Sequence, residues 1–375
     1  MNRFLYSLLF VIFLPLASFN SRFYDEHKTL EIGATAPDFK LTGVDDRVYT
    51  LSSFKEARVL VVVFTCNHCP TAQCYEDRIK KMTTDYADKK VAVVAIMPND
   101  PNSLRLDELD FSDLGDSFEE MKIRAKEKNF NFPYLYDGET ESVSRAYGPV
   151  STPHVFIFDE QRKLRYQGRI DDTESPFKKP NQTDARNAID ALLNNREPEV
   201  KTTKVFGCSV KWSEKKDLVQ KSKEAWAKEP VPLTTIDSGG VNELLKNTSD
   251  KLLLVNIWSQ NSPASIKEFP EFVTINRMYR DRDFKLVTLN MDGTSEKEKV
   301  MLFLRQEQAS NSNFITNPIK NAGWYNRVNN GWKGNLPYTL LIEPNGKIVY
   351  AKEGMIDPAE LKRTIVNNHL IGRYP

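Results

Sequence analysis

An unbroken apolar run, Val59-Leu60-Val61-Val62-Val63-Phe64-Thr65, passes directly into Cys66-Asn67-His68-Cys69-Pro70 and then into a stretch with Ile79, Met82 and Tyr86 at helical spacing. The run is long and branched enough for a buried strand, and the residues after it have the period of a helix with one apolar face. Two thiols therefore stand where a buried strand hands over to a helix. A helix N-terminus carries partial positive charge and unpaired N–H groups, which favour thiolate over thiol. Cys66, expected to be the more exposed of the two, is assigned the attack, and Cys69, a turn along, the resolution of the mixed disulfide.

Other chemistries fit this motif less well. Haem attachment needs a histidine directly after the second cysteine, where this chain has Pro70. A structural zinc site needs more ligands than Cys74, Cys208 and four scattered histidines offer. A purely structural bridge would close so short a loop that it removes little unfolded-state entropy. No glycine-rich phosphate loop precedes a helix and no histidine pair shares a helix face, so no metal and no cofactor is expected. With 52 Lys plus Arg against 51 Asp plus Glu, no bulk charge draws the chain to nucleic acid. The lysine pairs at 80–81, 178–179 and 215–216 read as solvated faces.

The 375 residues are too many for one ordinary domain. Residues 1–20 have a basic start, an apolar stretch from Phe4 to Ala17 and small residues at Ala17 and Ser18, the pattern of a secretory signal. The expected location is therefore outside the cytoplasm, in a bacterial periplasm, with a membrane tether if the signal is not cleaved and no integral span once it is. An exported CxxC meets an oxidising compartment, where it acts as an oxidant, or as a reductant if something recharges it.

Short extended segments, Ala36 to Leu41 and Val48 to Leu51, flank a turn at Gly43 to Asp46. A second buried run, Val91 to Met97, follows the CxxC helix and implies a parallel strand pair with a right-handed crossover. An acidic insert (106–116) and a helix (117–128) come next. Thr152-Pro153-His154 leads into a strand at 155–158 and a hairpin to Tyr166, and a helix at 183–195 closes the unit.

The Ala36-Pro37-Asp38-Phe39 opening, the CxxC after a hydrophobic strand and the Thr-Pro dipeptide before a hairpin resemble, in this order and spacing, the thioredoxin superfamily. The branch is the redoxins, which include peroxiredoxin-like proteins and exported thiol–disulfide oxidoreductases. The resemblance implies an α/β fold with a central mixed sheet flanked by helices over residues 28–196. It also implies a cis proline at Pro153 and a substrate chain bound by the backbone of Thr152. Protein thiols and disulfides would be the substrates, with a second protein as electron donor or acceptor. The imidazole of His68 occupies the position that strongly oxidising members use, where a charged ring favours the reduced state. With Asn67 it is assigned to substrate positioning, the alternative for His68 being a solvated loop residue. Val62 and Val63 stand where a peroxidatic motif would place its proline, so thiol peroxidase is the alternative activity.

The layout repeats. Leu252 through Pro263 copies Val59 through Pro70 with Ser259 and Ser262 in place of the cysteines, and Leu336 through Ile342 copies Thr152 through Phe158 with Pro337 in place of Pro153. Residues 231–375 are thus expected to form a second thioredoxin-like domain that is redox-inactive, because exchange needs a thiolate and a sulfur–sulfur bond. Scaffold, partner docking and a retained peptide groove remain open for it. Trp324, Tyr325 and Trp332 fit either a groove lining or, slightly better, core. A non-catalytic interaction protein with a vestigial CxxC is the reading from a different class.

Glu197-Pro198-Glu199 opens a charged connector (197–230) that contains Cys208 in the apolar setting Phe206-Gly207-Cys208-Ser209-Val210. Cys208 reads as an inert buried thiol, a third redox cysteine that resolves Cys66 or pairs with Cys74, or a free thiol awaiting a partner. Cys74 reads as helix core or as that additional redox partner.

Overall fold

The computed structural model describes residues 27–319 and 322–374; the segment read as a secretory signal lies outside them. The chain forms strands β1 (Lys40–Gly43), β2 (Val48–Thr50) and β3 (Val59–Phe64), helix α1 (Pro70–Asp85), β4 (Val91–Met97), α2 (Phe118–Lys128), β5 (Tyr134–Tyr136) and α3 (Ser142–Tyr147). It continues with β6 (Ser151–Thr152), β7 (His154–Phe158), β8 (Leu164–Gly168) and α4 (Asp184–Leu193). Seven of these strands make one sheet in the order β2-β1-β5-β4-β3-β7-β8, with β3, β4 and β5 parallel and β7 antiparallel to β3. The remaining strand, β6, lies outside that sheet.

Both faces of this sheet are covered, which is why β3 is apolar at every position rather than alternating. Val59, Val61 and Val63 pack with α1 and α4 residues such as Ile79 and Ile189, while Leu60, Val62 and Phe64 pack with Phe156, Phe158 and Tyr147 on the other side.

The connector supplies β9 (Cys208–Ser209) and α5 (Lys216–Trp226). Rather than running as a solvated linker, it laces onto the first sheet's unit: β9 pairs with β6, Lys211 bonds Asn99, and Ser213 bonds Glu141.

The second unit comprises β10 (Thr234–Thr235), α6 (Ser238–Leu245), β11 (Leu252–Trp258), α7 (Pro263–Tyr279), β12 (Phe284–Asn290) and α8 (Lys297–Gln306). Then come β13 (Ser312–Ile315), α9 (Ala322–Val328), β14 (Tyr338–Glu343), β15 (Lys347–Glu353) and α10 (Pro358–Asn367). Its sheet order, β10-β13-β12-β11-β14-β15, repeats the first around β11, with β12 parallel and β14 antiparallel. The fold is α/β, two thioredoxin-like units each with a mixed sheet flanked by helices. Trp324 and Trp332 are core, with Tyr325 packed against them.

The acidic insert joins the two units. Leu109 is buried in the same cluster as Phe272 and Tyr279 of the second unit. Tyr279 donates its hydroxyl to Ser112 O at 2.7 Å, Arg282 bonds Asp110 O at 3.0 Å, and Arg373 pairs with Asp113 at 2.7 Å. Such buried polar contacts between apolar neighbours fix the insert's path.

Candidate functional site

The chain leaves β3 at Phe64, Thr65 N–H still holds Ile96 O at 3.0 Å, and the two-thiol turn follows. Helix α1 starts with Cys69 as its N-cap and Pro70 at N1, where the missing N–H costs nothing. Facing this turn is the Thr152–Pro153 peptide, which is cis, as is Leu336–Pro337 in the second unit.

Thr152 gathers the sulfurs. Its hydroxyl lies 3.0 Å from Cys66 Sγ, and its carbonyl accepts from the Cys69 thiol at 3.3 Å. Opposite Thr152 in the β6–β9 pair stands Cys208, whose backbone N–H donates to Cys69 Sγ at 3.3 Å. All four cysteines are free thiols.

The expectation of an exposed Cys66 does not hold. Cys66 is 3% exposed and Cys69 0%. The two thiols also differ in protonation preference. Burial, the Cys69 contact and the Asp116 charge push the Cys66 thiol well up. Burial would raise Cys69 too, but the Cys208 and Cys66 thiols, the charge of His68 and the Ala72 N–H outweigh it and hold Cys69 well below the ordinary thiol range. Cys69, not Cys66, sits at the helix N-cap, so the dipole argument applied to the sequence selects the second sulfur once the helix start is known.

Asn67 and His68 are both 1% exposed and point inward, which excludes the solvated-loop alternative and leaves neither facing an open groove. Asp116, at the end of the insert, organises them. One carboxylate oxygen accepts the N–H groups of Asn67 (2.9 Å) and His68 (3.1 Å), and the other accepts His68 Nδ1 (2.6 Å) and Asn99 Nδ2 (2.7 Å). Burial opposes charging of His68, yet the Asp116 carboxylate overrides it and the net shift is upward; Asp116 correspondingly moves down. Asn67 is held further by Gly115 O and by the hydroxyl of Tyr134, and Gln73 caps the turn's carbonyls.

Cys66, His68 and Asp116 are a group whose ligand atoms lie within 4.8 Å of one another. Both Asp116 oxygens already accept two donors each and the near imidazole nitrogen is one of them, so the set is organised as a hydrogen-bonded ion pair beside a thiol.

Cys74 is a helix-core thiol whose burial pushes it up to about 12. The contacts of Cys208 are to Cys69 and Thr152, not to Cys74. The sequence reading missed Asp116 and Asn99. Asp116 lay in an insert read only as acidic, and the local signal there, Ser117 followed by Glu120, marks the capping box of α2 rather than a partner for His68.

The second unit keeps the frame without the sulfur. Ser262 caps α7 and donates to Leu336 O at 3.1 Å, as Cys69 does to Thr152 O. Asp292 accepts from the Ser259 hydroxyl and from Gln260 N–H, as Asp116 accepts from the turn it faces.

Residues 31–189 match the family model described as Redoxin. An alkyl hydroperoxide reductase E from Mycobacterium tuberculosis is 28% identical over 141 residues, which are 37% of this chain and 76% of that protein. Among solved structures, an uncharacterized conserved protein from Geobacillus kaustophilus is 38% identical, covers 49% of this chain and 93% of its own, and has a TM-score of 0.44. A hypothetical protein from Sinorhizobium meliloti is 32% identical, covers 50% of this chain and 97% of its own, and has a TM-score of 0.45.

Proposed function

We propose that this chain, whose residues 31–189 form a redoxin domain of the thioredoxin superfamily, is an exported thiol–disulfide oxidoreductase acting on protein substrates. The observation that carries the reading is the placement of both CxxC sulfurs against Thr152, Cys66 at its hydroxyl and Cys69 3.3 Å from its carbonyl, with Cys69 at the N-cap position of α1 and accepting the Cys208 N–H. Cys69 is the sulfur that carries negative charge and attacks a substrate disulfide. Cys66 then attacks the mixed disulfide and leaves the pair oxidised. Thr152 and Pro153 align the partner chain, while Asn67, His68 and Asp116 set the turn and its charge from inside.

The second unit is a scaffold without redox chemistry. Ser259 and Ser262 cannot form a disulfide, and the unit's residues Tyr279, Arg282 and Arg373 hold the insert that delivers Asp116 to His68. Export rests on the sequence at residues 1–20. No helix of the described residues is long and apolar enough to cross a membrane.

Peroxide reduction is the second reading, favoured by the name of the mycobacterial relative. The test mixes reduced protein with a peptide disulfide or with hydrogen peroxide and follows loss of the Cys66 and Cys69 thiols by quenched alkylation. Faster oxidation by the disulfide, abolished in Cys69→Ser, supports the oxidoreductase. Far faster oxidation by peroxide assigns the peroxidase, and inertness to both leaves a binding protein.

A further inference from the structure

The chain's own connector packs against the cluster that holds the sulfur pair. Strand β9 lies antiparallel on β6 with Ser209 opposite Ser151 and Cys208 opposite Thr152. Gly207 and Ser209 are exposed while Cys208 is half-buried against the core cluster, and its N–H reaches Cys69 Sγ at 3.3 Å. The approach is tight: a Cβ on Gly207 would meet Thr152 O at 2.1 Å, and its φ of +127° is one that side chains disfavour. On either side the strand is anchored, by Phe206 packed against Tyr75 and by Val210 and Lys211, both buried, the latter bonded to Asn99 and Glu108. The pairing itself is only two residues long, so it is held in place mainly by what flanks it.

We propose that β9 is a built-in substitute for the substrate strand and that Cys208 is a third redox sulfur, which exchanges with the oxidised Cys66–Cys69 pair. The inference rests on the reading that this pair exchanges disulfides. An extended partner that adds to the Thr152 edge must take the line β9 occupies, because a strand edge offers one set of main-chain donors and acceptors. A partner sulfur attacked by Cys69 must likewise stand where Cys208 stands.

The step balances without an outside oxidant. The Cys69 contact, burial and the Cys69 charge hold the Cys208 thiol up while the pair is reduced; with Cys69 in the disulfide, Cys208 gives up its proton as it attacks Cys69 Sγ of the Cys66–Cys69 bond. The Cys208–Cys69 bond forms, the Cys69–Cys66 bond breaks, and Cys66 leaves as thiolate beside the Thr152 hydroxyl, 3.0 Å away. The proton given up by Cys208 passes to Cys66. One disulfide is traded for another, with β9 now covalently fastened over the site and Cys66 reduced. A substrate thiol that displaces β9, or the reverse exchange, reopens it.

The full-length protein, oxidised with glutathione disulfide, acid-quenched, alkylated and digested, gives the test. A Cys69–Cys208 cross-linked peptide alongside Cys66–Cys69 is expected, and in Cys66→Ser the Cys69–Cys208 bridge becomes the main product. In Gly207→Ala the strand is forced off Thr152, and the rate of Cys69 labelling by an aromatic disulfide rises by about tenfold, the factor for a modest shift in an opening equilibrium. Cys208→Ser abolishes the cross-link. If Cys66–Cys69 forms and exchanges but no Cys69–Cys208 bridge appears even in Cys66→Ser, or if Gly207→Ala leaves labelling unchanged, the proposal falls while the oxidoreductase reading stands. If neither bridge forms, both fall.

Discussion

Replacing Asp116 with asparagine removes one charge from the centre of the site and keeps its shape. The two carboxylate oxygens accept four donors, two from the backbone of the CxxC turn and two from His68 and Asn99. An asparagine with its carbonyl toward the turn retains both backbone bonds. Its amide group donates to His68 Nδ1, which requires a neutral ring, and opposes the Asn99 amide donor. One buried donor is then left without a partner, at a cost of about 1–3 kcal/mol, well within the stability of a folded domain. Asp116→Ala, by contrast, strips all four donors and is expected to cost about 3–5 kcal/mol, as for removing one partner of a buried pair. The informative readout is the thiol. Without the carboxylate, burial keeps His68 neutral, Cys69 loses its cationic neighbour, and the thiolate absorbance that Cys69→Ser abolishes retreats to higher pH in Asp116→Asn. The measurement is an ultraviolet pH titration with circular dichroism as the check on folding. A folded Asp116→Asn protein whose thiolate titrates as in the parent refutes the chain of charge from Asp116 through His68 to Cys69.

Three further outcomes follow from other buried groups. Glu268, enclosed with Asn256 and Ile356 N–H, is raised from 4.5 to about 7 by burial, so the unfolded chain ionises first and stability falls as pH rises from about 4.5 to about 7. Glu268→Gln removes that fall and is expected to gain about 1–2 kcal/mol at neutral pH, allowing for partial solvation, in denaturant titrations at both pH values. Arg124 grips Glu76 with two bonds of 2.6 and 3.0 Å in the core; burial lifts Glu76 and the arginine pulls it down without fully offsetting this. Arg124→Met is expected to cost about 3–5 kcal/mol and Arg124→Met with Glu76→Leu to recover most of it, the pattern of a pair whose stranded partner is the main penalty. Arg373→Ala leaves Asp113 with the longer Arg363 bond of 3.4 Å and loosens the insert, so hydrogen exchange quickens at 106–116 and the thiolate titration broadens, with the second sheet unchanged.

The sequence was most readable where a local pattern carries its own period. The fully apolar β3, the almost wholly apolar β11, the helices after them and the two Xaa-Pro hairpin entries follow from hydrophobic spacing, and the repeat makes each half a check on the other. Short elements were not readable. Strand β5 has three residues and α3 six, too few for either period to declare itself, and β9 exists because Gly207 lets its backbone close on Thr152. The expected exposure of Cys66 came from its place ahead of the helix. It failed because a connector segment, whose Cys208 lies 139 residues beyond Cys69, folds back over the turn. Asp116 was unreadable for the same reason: it meets His68 across 48 residues of chain, and nothing in the intervening sequence links one acid of an acidic stretch to one imidazole.

The claim on which these points converge is that Cys69 is the attacking sulfur. Incubating single-cysteine variants that retain only Cys66 or only Cys69 with a peptide disulfide at neutral pH, then mapping the first mixed disulfide by mass spectrometry, addresses it directly. The Cys69 protein is expected to form the adduct faster than the Cys66 protein, and to keep doing so as the pH is lowered. An adduct that forms first on Cys66, with Cys69 slow or inert, contradicts the account.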